Sequence, residues 1–335
     1  MNRSVLSSRF ATSMLGCILA GAICVSYAPA QQHGNGVGAG GVRYIEAGQP
    51  PVVIHPTVEA SKAARGAARP TKSKNLYYHG GTGGIGVETA PKVYLVLWGS
   101  QWNSNDPSGE EALLVSFFNG VGGSKWMNTV TQYCQGVGSG TYFCNGAGTP
   151  AGNPSGIFVG AWYDNASAAP SSPTQSQLAA EAVRAAAFFK NTSAASNVSA
   201  QYVIATATGN NASGFGTQYC AWHSSTSSSY GNVAYTNLPY ITDAGASCGA
   251  NFNGLGANAG ITIVEGHEMA ETETDQFPNG GWLDGSGSEI GDKCAWISAG
   301  QGASTTTKLT TGTFPVQSLW SNAFNSDAGG CVLSY

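Results

Sequence analysis

Apolar residues run without a break from Val93 to Trp98 in Lys92-Val93-Tyr94-Leu95-Val96-Leu97-Trp98. That length and continuity predict a strand buried on both faces of a sheet. Residues 157–162 and 202–207 repeat the pattern as second and third strands, and 231–235 predicts a short fourth at a sheet edge. Helical spacing lies between them. Leu113, Leu114, Phe117 and Phe118 follow Ser108-Gly109-Glu110-Glu111, which reads as a capping-box start. Leu178, Val183, Phe188 and Phe189 follow a second such start, Thr174-Gln175-Ser176-Gln177. A third helix is expected from about 256 to 275, ended by Pro278-Asn279-Gly280-Gly281. From Thr305 onward short strands close back onto the sheet. Residues 76–335 therefore predict one α/β domain, a mixed sheet flanked by helices.

The chain ahead of that domain has a different composition. Arg3 and Arg9, a mostly apolar stretch over 11–25, and Ala28-Pro29-Ala30 make residues 1–30 read as a secretory signal peptide, too short for a membrane span. Residues 31–75 are rich in Gly, Ala, Pro and Gln and end in the basic run Lys62, Arg65, Arg69, Lys72, Lys74. They cannot bury enough apolar surface to fold alone. Two readings stand: a flexible leader, or a propeptide cut within the basic run. With cleavage after Ala30 the mature chain is secreted, without a membrane span, and keeps Cys134, Cys144, Cys220, Cys248, Cys294 and Cys331. Export favours disulfides, and short loops favour the sequential pairs Cys134–Cys144, Cys220–Cys248 and Cys294–Cys331.

Charge narrows the function. The net charge is -4, and past residue 75 only Lys92, Lys125, Arg184, Lys190, Lys293 and Lys308 are basic, which excludes nucleic acid as a partner. Acidic residues are concentrated instead. Eight fall between Glu265 and Asp292, around His267. At about 100° per residue, His267, Glu268, Glu271 and Asp275 share one side of a helix, with Glu265 and Glu273 expected to face solvent. His267 and Glu271, one turn apart, are spaced to hold a metal, and Glu268 beside them is placed to take a proton from its water. His-Glu-x-x-Glu differs from the zincin His-Glu-x-x-His by one ligand, so a further donor must come from downstream. Glu289 is the first choice and Asp292 the second, as ligand or as orienting group. Zn2+ is the leading cofactor. A site this rich in carboxylates also suits Ca2+ or Mn2+.

Read together, Tyr78-His79-Gly80-Gly81, Val93 to Gly99, Cys220-Ala221-Trp222-His223, Ala234-Tyr235, His267-Glu268-Met269-Ala270-Glu271 with Thr274-Asp275, Trp282 and Glu289-Ile290-Gly291-Asp292-Lys293-Cys294 resemble the EXORDIUM, or phosphate-induced, protein family. The resemblance runs from about Tyr77 to Cys294 and departs in the tail at Ala295-Trp296. It implies a secreted, cysteine-containing protein of the cell wall or extracellular matrix. It supplies no reaction.

Asp275, His223, His79 and Tyr235 are further candidates for orienting the site or binding substrate, and Tyr78 and Tyr235 for stabilising an oxyanion. Three functions follow. The first is a secreted metallopeptidase with Glu268 as general base, acting on a peptide or extracellular protein. The second is a non-catalytic matrix protein with structural calcium, its Trp98, Trp102, Trp162 and Trp282 contacting cell-wall glycan. The third is a metal-free acid carboxyl peptidase using Glu268 and Glu271. No Gly-x-Ser-x-Gly elbow follows a strand, which argues against a serine hydrolase.

Overall fold

A computed structural model describes residues 41–67 and 75–335. Its strands in chain order are β1 (Gly41–Arg43), β2 (Val52–Pro56), β3 (Tyr77–Tyr78), β4 (Lys92–Trp98), β5 (Cys134–Gln135), β6 (Thr149–Pro150), β7 (Phe158–Asp164), β8 (Ala200–Thr206), β9 (Tyr219–Ser228), β10 (Gly231–Leu238), β11 (Trp282–Leu283), β12 (Thr305–Leu309), β13 (Gly312–Val316), β14 (Leu319–Ser321) and β15 (Gly330–Val332). The helices are α1 (Val58–Ala67), α2 (Glu110–Val121), α3 (Gln175–Phe188), α4 (Ala194–Asn197), α5 (Ala259–Thr274) and α6 (Phe324–Asp327).

Seven strands form one mixed sheet in the order β1-β2-β9-β10-β8-β4-β7. β10, β8, β4 and β7 pair in parallel, whereas β1, β2, β9 and β10 pair antiparallel. The α/β class with a mixed sheet is therefore as the sequence predicts. α3 covers one face, packing Leu178, Ala182 and Ala186 with Tyr94, Tyr202 and Tyr235. α2 and α5 cover the other, where Leu95, Val203, Phe117 and Ile263 share a core. Side chains alternate along a strand, so Trp222 packs under α3 while its neighbours on β9, Ala221 and His223, point at α5.

The segment expected to be a leader is, over its described residues, folded. Val53 pairs with His223 and Ile54 with Trp222, so β2 extends the sheet beyond β9. Too short to bury a core alone, it satisfies its backbone groups on β9 and seats Val52 against the α3-side core. Arg65 on α1 donates to the carbonyls of Ala295 and Trp296. The expected signal segment, residues 1–30, and residues 68–74 of the basic run lie outside the described residues.

Two other expectations are corrected. β10 runs on to Leu238 and sits inside the sheet, because β9, which the sequence pattern does not reveal, pairs along its whole length. The outer half of β9 is Ser224-Ser225-Thr226-Ser227-Ser228, whose uniform polarity hides the alternation of a strand. α2 starts without a capping box. Asp106 accepts from the amides of Glu110 and Glu111, while Ser108 donates to Tyr240 Oη. α3 does carry its expected box between Thr174 and Gln177.

Cys134–Cys144, Cys220–Cys248 and Cys294–Cys331 are bonded, the sequential set. Three bridges suggest an oxidising, extracytoplasmic environment. No described helix is long and apolar enough to cross a membrane.

Candidate metal centre

α5 is the most enclosed helix of the described fold: each of its sixteen residues is buried. It packs on β9, β10 and β2, beneath α2 and β13. A helix buried all round has no solvent face, so Glu265 and Glu273, expected at the surface, are fully buried. Gly266 allows this closure. A Cβ there would stand 3.1 Å from the Trp126 ring and 3.3 Å from Phe117, so aromatic side chains, rather than another backbone, press against it.

Four segments converge on the middle of α5. His267 Nε2 lies 3.0 Å from Glu271 Oε1, one turn on, and 3.9 Å from Asp292 Oδ1 in the loop after β11. His223, from β9, places Nδ1 at 3.1 Å from Glu268 Oε2 and 3.7 Å from Glu271 Oε2, and its Nε2 at 3.7 Å from Glu289 Oε2. His55, from β2, lies edge-on to His267 with ring centroids 4.0 Å apart. Gln317, just after β13, places its Oε1 3.3 Å from His267 Nδ1 and 3.2 Å from His55 Nε2.

The Gln317 amide settles which nitrogen of His267 carries its proton. Gln317 Nε2 donates to the carbonyls of Gly291 at 2.8 Å and Ser318 at 3.3 Å. Its Oε1 can therefore only accept, so His267 donates from Nδ1 and turns the Nε2 lone pair toward Glu271 and Asp292. That tautomer is the one a metal ligand needs. Gly291 makes the approach possible: a Cβ at this position would be 2.5 Å from His267 Nδ1.

Burial dominates the electrostatics of the centre. Burial holds His267 and His223 neutral, with pKa lowered to about 3 in each; for His223 the nearby His267 adds to the effect. Burial raises the Glu268 carboxyl well above the usual range, and the charges of Glu271, Glu265 and Asp292 raise it further. Burial also raises Glu271, against the opposing pull of the Asp292 and Gly291 amides that donate to it. Glu289 is raised by burial and then by Asp275, Glu271 and Asp292. Asp292 follows the same course, raised by burial and Glu271.

Each of these groups keeps at least one atom without a partner among the described residues. Glu268 Oε1, Glu271 Oε2, Asp292 Oδ1, both oxygens of Glu289 and the Nε2 atoms of both histidines are buried without a hydrogen bond of proper geometry. Native proteins seldom leave buried polar atoms unsatisfied. Donors bound about 2.0–2.2 Å from a common ion stand about 3–3.5 Å apart, close to the spacing of these groups. Two trios, His267-Glu271-Asp292 and His223-Glu268-Glu271, each have donor atoms within 4.8 Å of one another and could hold a metal ion.

The sequence candidates separate accordingly. His267, Glu268, Glu271, Glu289, Asp292 and His223 come together. Asp275 stands at the edge, accepting from the amides of Asn279, Gly280 and Gly281 and facing Glu289; burial raises its pKa to about 6. Tyr235 lies across the sheet, in the core under α3, because it alternates with the α5-facing positions of β10. His79 stacks on Tyr77 beside β11, and Tyr78 packs against Trp282. Trp102 and Trp282 are buried and donate to the carbonyls of Ala205 and Cys134, which removes both from any glycan-contacting surface. Sequence reasoning passes over His55 and Gln317. For His55 a signal is present in Val52-Val53-Ile54, an apolar run inside the supposed leader. Gln317 has none.

Comparison with family models, with curated proteins and with solved structures finds no match to this chain.

Proposed function

We propose that this protein is an exported, divalent-cation-dependent hydrolase with a zincin-like helix, acting on peptide bonds of extracellular substrates. The observation that carries the reading is the convergence of His267, Glu271 and Asp292, with unpartnered donor atoms, beside the Glu268 carboxylate. A bound cation supplies a polarised carbonyl and an acidified water. Glu268 is the general base; its Oε2 faces His223, which leaves Oε1 to receive the proton. Gln317 orients His267, and Glu289 faces the far nitrogen of His223. Zn2+ is the leading ion, and the carboxylate-rich donor set also suits Mn2+ or Ca2+. Export, with the signal peptide of residues 1–30, agrees with the three disulfides, as does the resemblance to the EXORDIUM family.

The enclosure of the site fits a precursor. β2 lies over α5 and sets His55 against His267, and the basic run of residues 62–74 follows on the same segment. A cut in that run, followed by departure of the strands before it, uncovers His267 and the edge of β9. The test pairs metal analysis with a casein assay, with and without chelator, on intact chain and on chain cut in the basic run. Chelator-sensitive hydrolysis that appears on cutting, and is lost in Glu268→Gln with metal retained, supports the reading. Full activity of Glu268→Gln ends the role given to that residue.

The burial of every donor favours a second reading, a structural cation with no substrate access. Under it, chelation lowers the melting temperature of intact and cut chain alike, and neither hydrolyses anything.

A further inference from the structure

The buried donors of the centre divide into two sets. His267 with Asp292 and His223 with Glu268 form separate trios, and Glu271 belongs to both. Its Oε1 is 3.0 Å from His267 Nε2 and its Oε2 is 3.7 Å from His223 Nδ1, so opposite edges of one carboxylate face the two histidines. Among the described residues, buried atoms without hydrogen bonds belong to each set: Asp292 Oδ1 and His267 Nε2 to the first, Glu271 Oε2 to the second.

We infer that the centre is dinuclear. One divalent cation is held by His267, Glu271 and Asp292, a second by His223 Nδ1, Glu268 and Glu271, and the Glu271 carboxylate bridges them. The inference rests on the cation-binding reading above and deepens it. Coordination through Nδ1 puts the His223 proton on Nε2, which faces Glu289 Oε2 at 3.7 Å. Glu289 is then the carboxylate that orients the second histidine, as Gln317 orients the first. Ions bridged in this way stand about 3.5–4 Å apart and can clamp two oxygens of a tetrahedral transition state. Glu268 holds the second ion through Oε2 and keeps Oε1 for the proton.

The test uses the full chain, stripped of metal and loaded with Mn2+, by equilibrium dialysis with elemental analysis and electron paramagnetic resonance. The expected result is two Mn2+ per chain with an exchange-coupled spectrum. His223→Ala and His267→Ala are each expected to fall to one, with the uncoupled six-line signal. One uncoupled ion in wild type, kept in His223→Ala and lost in His267→Ala, overturns the dinuclear inference and leaves the proposed function standing. Two ions retained in both variants overturn it as well. No bound ion in wild type overturns both. The wild-type stoichiometry and coupling decide the matter even where a variant fails to fold.

Discussion

His267 Nδ1 and Gln317 Oε1 stand 3.3 Å apart, and the two carbonyls that hold the Gln317 amide make its oxygen the only atom it can offer. A side chain fifty residues downstream thereby sets the protonation pattern of the histidine. Gln317→Leu removes that acceptor at similar volume and frees the imidazole to place its proton on Nε2, toward Glu271 and Asp292. By analogy with other orienting groups, cation affinity is expected to fall about 10–100-fold. Isothermal titration of cation-free protein measures it; unchanged affinity removes Gln317 from the site.

Glu271 is the one carboxylate common to both donor groups, and it is held by the Gly291 and Asp292 amides at 3.2 and 2.8 Å. Glu271→Gln keeps the shape and removes the charge. Its amide nitrogen must also displace one oxygen from donors that need an acceptor. Cation content measured after dialysis is expected to fall further in this variant than in Gln317→Leu. Equal loss in the two would make Glu271 an ordinary ligand.

Gly291 is required by space rather than by backbone conformation. Its φ of -84° is open to any residue, yet a Cβ would meet His267 Nδ1 at 2.5 Å and Cγ at 2.8 Å. Gly291→Ala is expected to cost about 1–3 kcal/mol by overpacking, and to weaken cation binding because the loop carrying Asp292 must retreat. Urea denaturation of the cation-free protein checks the first part; a stability equal to wild type would mean that a methyl group fits beside His267.

What is legible in the sequence follows from where periodicity survives. β4, β8 and α3 can be read because apolar runs and a capping pair mark them locally, and the His267-Glu-x-x-Glu271 spacing needs only a helix to bring both side chains together. β9 is lost to its serine-rich half. Glu265 and Glu273 are misplaced because helical spacing reports which residues share a side, never how many sides are covered. His55 lies in a segment whose Gly/Pro composition conceals a short strand completed by β9, and Gln317 reaches the site only through the tertiary fold.

Proton release should accompany cation binding. In the cation-free fold, burial and mutual repulsion raise Glu268, Glu271, Glu289 and Asp292 well above the ordinary carboxylate range, so protons must leave before the ion is held. Affinity is therefore expected to rise with pH. Titration calorimetry in two buffers of different ionisation enthalpy measures the protons released. A pH-independent affinity without proton release would mean that the carboxylates are already ionised in the empty site.

A second acidic pair gives stability its own pH dependence away from the candidate metal centre. Glu88 accepts from Gln201 Nε2 at 2.7 Å, its backbone amide donates to the Glu273 carbonyl, and burial pushes its carboxyl up to about 8 from an ordinary value of 4.5. Below about pH 4.5 both folded and unfolded chains hold this proton, and the group costs nothing. Between there and about pH 8 the unfolded chain releases it while the folded one keeps it, so stability falls as pH rises and then levels off. Glu273, raised by its own burial and then by Glu88, moves in the same direction. Glu88→Gln removes one titrating group while keeping an acceptor for Gln201. The drop in unfolding free energy from pH 5 to pH 8 is expected to shrink by a few kcal/mol at most, a tenfold difference in proton affinity between the two states being worth about 1.4 kcal/mol. Urea denaturation of cation-free wild type and variant at the two pH values makes the comparison. Identical drops would mean that Glu88 is ionised in the fold, with water or a cation reaching its Oε1, the oxygen for which the described residues provide no hydrogen bond.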